Sequence, residues 1–196
     1  MEVGLLYSGG KDSSLAALVL EPFCTVTLLC CTFGVTDDYE HATRAGRALG
    51  FPVRRVALDP TVADEATARI VSDGFPRNGI QQVHEHALER CAALGLDAVG
   101  DGTRRDDRVP TVERRFAQSL EDRHGVAYLA PLAGIGREAI DAFAATSLTV
   151  ETGPSAAMQR GDYEAELRAL VAEEHGPDRV TELFPDHVQS RVTGRA

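Results

Sequence analysis

Tyr7-Ser8-Gly9-Gly10-Lys11-Asp12-Ser13-Ser14 follows a short apolar run, Val3 to Leu6, and opens an Ala/Leu-rich segment, Leu15 to Leu20. The pattern predicts a strand, a glycine turn and a helix. Such a turn directs backbone N–H groups at one point, and the helix dipole adds partial positive charge there. Gly9 and Gly10 permit close backbone approach. Ser8, Ser13 and Ser14 add hydroxyls, and Lys11 adds a full charge. Together these groups describe an anion cradle suited to phosphate or pyrophosphate. An ordinary helix cap needs none of the glycines and only one hydroxyl.

Downstream, strands and helices are expected to alternate. Thr25 to Phe33 is a continuous apolar, β-branched run that reads as a strand buried on both faces. On strand geometry its adjacent Cys30 and Cys31 point to opposite sides. Asp37 and Asp38 precede a helix through Leu49, closed by Gly50 and Pro52. Val53 to Leu58 is the next strand, and Thr61 to Val71 the next helix. Gly74 to Gly79, with Arg77-Asn78-Gly79, reads as a break. An amphipathic helix is expected from about Gln81 to Leu94, with Val83, Ala87, Leu88, Cys91 and Leu94 on one face. His84 and His86 sit on it two residues apart, so they share no face and read as exposed. Asp97 to Val99 predicts a strand leading into Gly100-Asp101-Gly102-Thr103-Arg104-Arg105-Asp106-Asp107. A helix from Val112 to His124, a strand from Ala127 to Leu129 and a helix from Arg137 to Ala145 follow. This order defines an α/β fold, a doubly wound five-stranded parallel sheet with right-handed crossovers. Ligands in such sheets bind beyond the carboxyl ends of the strands.

Residues 1–150 are expected to form this domain and 151–196 a small C-terminal helical extension. Gly153-Pro154-Ser155 reads as a linker. Tyr163, Leu167, Leu170 and Val171 form a helical stripe, and Leu183 to Arg191 reads as irregular.

The 196 residues carry a net charge of -10. Of 20 basic residues, Lys11 is the single lysine and the other 19 are arginine. A compact ammonium suits a phosphate point contact better than a planar guanidinium. The acidic, lysine-poor composition looks like that of a halophilic archaeon. It argues weakly against nucleic acid as a partner. The absence of a long apolar run or a signal-peptide pattern predicts a cytoplasmic protein without membrane contact. The four cysteines lack a C-x-x-C pair and read as small core residues rather than disulfides.

Two common phosphate loops do not match. The Walker pattern lacks its upstream glycine, and Asp12 follows Lys11. The dinucleotide pattern G-x-G-x-x-G is absent. Ser8-Gly9-Gly10-Lys11-Asp12-Ser13 instead resembles the SGGxDS signature of the PP-loop (N-type) ATP pyrophosphatases, which have a Rossmann-like HUP fold. Gly100-Asp101-Gly102 with Asp106-Asp107 is similar to the family's second turn, and Pro131-Leu132 with Arg137 to its last motif. The resemblance spans about residues 1 to 145.

The resemblance implies ATP and Mg²⁺ as cofactors and adenylation of a substrate oxygen with release of pyrophosphate. A sulfur or nitrogen nucleophile would then displace AMP, as in tRNA modification. Tyr7, Ser8, Gly9, Gly10, Lys11, Asp12, Ser13, Ser14, Gly100 and Asp101 would bind nucleotide, with Thr32 and Phe33 flanking the adenine. Lys11, Asp12 and Asp101 would be catalytic. Asp12, Asp106 and Asp107, with Asp101, would hold Mg²⁺, and Arg104 and Arg105 would clamp an anion. The implied substrate is tRNA or a small carboxylate or amide, with a sulfur- or ammonia-donor protein as partner. A homodimer is compatible with the chain. Thiolating relatives often carry a cysteine where this chain has Arg77-Asn78-Gly79, so a persulfide route through its own cysteines is disfavoured. The opening from Leu6 to Ser13 also resembles diphthine–ammonia ligases. A non-catalytic ATP-binding stress-type protein has a similar sheet but binds phosphate through a late loop, where only Gly134-Ile135-Gly136 is available here.

Overall fold

The computed structural model describes residues 1–154, 158, 161–185 and 188–196. Its centre is a five-stranded parallel sheet of β1 (Glu2–Leu6), β2 (Thr25–Thr32), β3 (Val53–Ala57), β4 (Ala98–Gly100) and β5 (Ala127–Leu129), in the order β3-β2-β1-β4-β5. The chain moves outward from β1 to β3, then returns to β4 on the other side of β1. The switch point therefore lies between the carboxyl ends of β1 and β4, where such sheets bind ligands.

Both sheet faces are covered, which explains why β2 is apolar at consecutive positions. One layer holds α1 (Lys11–Leu20), α2 (Tyr39–Ala48) and α6 (Arg137–Ser147). The other holds α3 (Pro60–Asp73), α4 (Arg77–Ala92) and α5 (Arg114–His124), joined by α7 (Tyr163–His175). Cys30 packs into the first layer and Cys31 into the second.

Helix α4 begins four residues before the expected start, so Arg77-Asn78-Gly79 is helical rather than a break. Gly79 serves packing: a Cβ there would lie 2.7 Å from the Ala66 carbonyl oxygen on α3. Among the described residues, no helix is long and apolar enough to cross a membrane.

The C-terminal segment is more ordered than its sequence suggests. It contains α7, α8 (Pro177–Leu183) and a two-stranded antiparallel ribbon of β6 (Leu148–Pro154) and β7 (Val188–Arg195). Gly153 and Pro154, expected in a linker, end β6; Ser155, Asp186 and His187 lie outside the described residues. The irregular reading of the tail fails because a strand that pairs with a partner about 40 positions away leaves little local signal. The ribbon packs on the first layer through Leu148 and Val192. Arg195 donates to the Leu49 carbonyl and pairs with Glu21 at 2.7 Å.

Candidate functional site

The turn at the end of β1 is held from inside. Gly9 has φ +81°, a left-handed conformation that glycine adopts without steric cost. The Ser14 hydroxyl is fully buried and donates to the Gly10 carbonyl at 2.9 Å, which leaves the Tyr7 hydroxyl to donate to Ser14 Oγ at 3.0 Å. Burial, against the pull of that hydrogen bond, pushes the Tyr7 phenol far above its ordinary pKa. Ser14 thus braces the turn from behind. Ser13 also donates to the Gly10 carbonyl, at 3.2 Å, and lies 3.4 Å from Ser8 Oγ.

A cavity of about 750 Å³ opens beside this turn, a size typical of small-ligand sites. Ser8, Asp12 and Ser13 line it from the turn, and Asp101, Gly102 and Thr103 from the end of β4. Tyr163 and Arg168 of α7 and His84 of α4 complete the lining. The two loops touch: a Cβ on Gly102 would lie 2.8 Å from both Ser13 N and Cα. Gly102→Ala should therefore push against backbone, lowering stability by about 2 kcal/mol. It should also displace the start of α1. Thermal melting of the variant and amide exchange at the start of α1 check both effects. Gly100 has a packing role instead, since a Cβ there would press on the Leu129 carbonyl of β5.

Gly9, Gly10 and Lys11 are not part of the cavity lining. The Lys11 ammonium lies 2.6 Å from Asp12 and 3.1 Å from Asp141 of α6. Arg104 lies between two of the predicted acidic residues, 3.4 Å from Asp12 and 2.6 Å from Asp107. Burial opposes its charge, but the bond to Asp107 and the field of Asp12 raise its pKa above the ordinary value. Asp106 accepts from Arg105 and from the Arg137 backbone, and sits apart on the surface.

Asp101 is 2% exposed and its carboxylate is fully engaged. Thr103 donates its N–H at 2.9 Å and its hydroxyl at 2.6 Å to one oxygen. His84 Nε2 and the Tyr128 hydroxyl each lie 2.9 Å from the other oxygen. Burial pushes the Asp101 carboxyl up, but the bonds from His84 and Thr103 bring it below its usual range. His84 is buried, contrary to the expectation of an exposed ring, and its Nδ1 meets the Tyr163 hydroxyl. Burial, with the Asp101 charge second, raises the Tyr163 pKa well above that of a free phenol, so it keeps its proton. His86, on the other face, is half-buried and accepts the Asp59 N–H at 3.2 Å.

Asp12, Asp101, Asp106 and Asp107 do not converge as a protein-built Mg²⁺ site. Each is already held by a cation or by several donors. Among the described residues, no group of three or more His, Cys, Asp or Glu side chains could hold a metal ion.

Thr32 and Phe33 stand outside the cavity lining, and the Thr32 hydroxyl and the Phe33 backbone N–H are taken by another partner. Glu166 of α7, 3% exposed, inserts its carboxylate at the end of β2. One oxygen accepts from Thr32 Oγ1 at 2.8 Å, Gly34 N at 2.8 Å and Val35 N at 3.0 Å; the other accepts from Phe33 N at 3.0 Å. Sequence reading missed Glu166 because a lone glutamate on an amphipathic helix looks like any solvated one. Cys31 lines the cavity with Sγ 3.4 Å from Cys91 Sγ. The shared hydrogen bond, and then burial, raises the Cys31 pKa, so the reactive thiolate is disfavoured.

A parallel sheet in this order, with a glycine–serine turn at its switch point, makes the protein a doubly wound α/β protein with its ligand site at the carboxyl ends of β1 and β4. More narrowly, the chain belongs to DUF7411, a family of unknown function, whose model matches residues 1–194. An uncharacterized protein of Methanocaldococcus jannaschii is 37% identical over 196 residues, covering 99% of this chain and 96% of the relative. A crystal structure described as a predicted subunit of tRNA methyltransferase from the same organism superposes with a TM-score of 0.91. It is 36% identical and covers 100% of this chain and 98% of that one. A U34-tRNA thiolase from Methanococcus maripaludis, solved with its [4Fe-4S] cluster, gives a TM-score of 0.43 at 19% identity, over 74% of this chain and 56% of that one.

Proposed function

We propose that this protein is an enzyme that uses Mg-ATP, transfers AMP to an oxygen of its substrate and releases pyrophosphate. A nitrogen or sulfur nucleophile then attacks the activated carbon, and AMP leaves. The observation that carries this reading is the turn itself: Ser8, Asp12 and Ser13 form one wall of a cavity large enough for a nucleotide and an acceptor.

The pyrophosphate end would lie on the turn, at the α1 N-terminus, where Lys11 neutralises charge as the leaving group departs. Lys11 reaches that position by giving up Asp141 or Asp12. Mg²⁺ would enter with the ATP, and Asp12, in the turn and on the cavity lining, would be the carboxylate that meets it there. The rest of the rate comes from holding both reactants in the cavity away from water. The relative described as a tRNA methyltransferase subunit supports tRNA as the acceptor class.

The test is pyrophosphate release from Mg-ATP in the presence of bulk archaeal tRNA. Lys11→Ala and Asp12→Ala should each lose roughly 10²–10³-fold in rate, the scale for removing one charge-stabilising group. Rates equal to the parent would overturn the assignment.

A further inference from the structure

The C-terminal strand β7 runs along the phosphate turn. Gln189, buried, lines the cavity. One residue on, the Ser190 hydroxyl accepts the Lys11 backbone N–H at 3.3 Å. Two residues further, the Val192 N–H donates to the Gly9 carbonyl at 2.9 Å. A Cβ on Gly10 would lie 3.7 Å from the Ser190 carbonyl and 4.0 Å from its hydroxyl. Helix α1 has no side-chain cap from its own N-cap residue, Gly10. A first-turn amide is instead satisfied from 179 residues away.

We infer that Ser190 is a working part of the phosphate cradle and contacts the terminal phosphoryl group of the bound nucleotide. This rests on the reading of the turn as an ATP site. Three observations converge on it. The Ser190 oxygen stands where an α1 N-terminal amide would meet a phosphate oxygen. A rotation about χ1 releases that amide and turns the hydroxyl into a donor. Ser190 itself is outside the cavity lining while its neighbour Gln189 is part of it, a place that suits contact with the leaving end of the polyphosphate. AMP, which lacks that end, does not reach it. The position of β7 does not depend on Ser190, because Val192 and Arg195 anchor the strand to the Gly9 carbonyl, Leu49 and Glu21. The acceptor for the first α1 amide is therefore adjustable while its backbone is fixed.

The experiment measures binding of Mg-ATP, inorganic pyrophosphate and AMP by calorimetry, with melting temperatures alongside. The parent should bind all three. Ser190→Ala should weaken ATP and pyrophosphate about tenfold, the loss of one hydrogen bond to a charged group. AMP affinity should stay within about twofold of the parent. Ser190→Asp should weaken pyrophosphate about 100-fold or more by charge repulsion. The same substitution supplies an N-terminal carboxylate to α1, so its melting temperature should hold or rise. That opposition separates a cradle role from a structural one. Unchanged pyrophosphate binding by both variants, or an equal loss for AMP, overturns the Ser190 assignment and leaves the ATP site standing. Failure of the parent to bind ATP and pyrophosphate overturns both.

Discussion

Replacing Glu166 with alanine will lower the melting temperature by roughly 10 °C, from a cost of about 4 kcal/mol in a chain of this size. One carboxylate, 3% exposed, serves four donors at the end of β2: the Thr32 hydroxyl and the amides of Phe33, Gly34 and Val35. Alanine leaves these donors without their acceptor, and each buried unsatisfied group costs about 1–3 kcal/mol unless water enters. Gln should be milder, at about 1–2 kcal/mol. Its carbonyl oxygen keeps the three donors now on Oε1, and only the Phe33 amide faces an NH₂ group. The predicted order is therefore parent, Glu166→Gln, Glu166→Ala in thermal or urea unfolding. Equal stability of the alanine variant would show that the β2 terminus finds other acceptors. The same change should loosen the contact of α7 with the sheet, because Glu166 is the polar pin between them.

Glu166 also marks where sequence reading stopped. The sheet and its helices were legible because their signals are local: apolar runs for β1 and β2, a glycine turn between β1 and α1, acidic caps and closing glycines elsewhere. Tyr7 to Ser14 carried the fold assignment for the same reason, with all its groups inside eight consecutive residues. What escaped depends on distant pairs. Thr32 and Phe33 looked open to a base because nothing near them in sequence reveals that Glu166 already fills the nest. His84 looked exposed on its helix because its partners Asp101 and Tyr163 come from β4 and α7. The C-terminal strand read as irregular because β7 is ordered by β6 and by the turn it lies on. Lys11 was placed correctly in the turn, but its pairing with Asp141 rests on the packing of α6 against α1.

The second large effect is expected at Asp101, and its form distinguishes a charge from a hydrogen-bond acceptor. Asp101→Ala removes the acceptor for Thr103, His84 and Tyr128 at a buried position, and should cost about 3–5 kcal/mol. Asp101→Asn should cost less, about 1–2 kcal/mol, because the histidine can reverse its polarity. In the parent, the Asp101 carboxylate can only accept, so the ring hydrogen belongs at Nε2 and Nδ1 is left to accept from the Tyr163 hydroxyl. An asparagine NH₂ would donate to Nε2 instead, moving the hydrogen to Nδ1, where the Tyr163 oxygen accepts it. Imidazole ¹⁵N spectra should therefore show the Nε2–H tautomer in the parent and the Nδ1–H tautomer in the asparagine variant. The same tautomer in both proteins would refute the polarity of the chain. The pH dependence follows from the lowered Asp101 pKa, set by bonds from His84 and Thr103 that outweigh burial. A carboxyl whose folded value lies below its unfolded one contributes its stability above about pH 4 and loses it as pH falls through the folded value. The stability gap between parent and Asp101→Asn should thus narrow as pH falls below about 4. Urea midpoints across that range measure it. A gap that instead widens in acid would mean that Asp101 takes up its proton more readily in the folded state, against the geometry of its four donors.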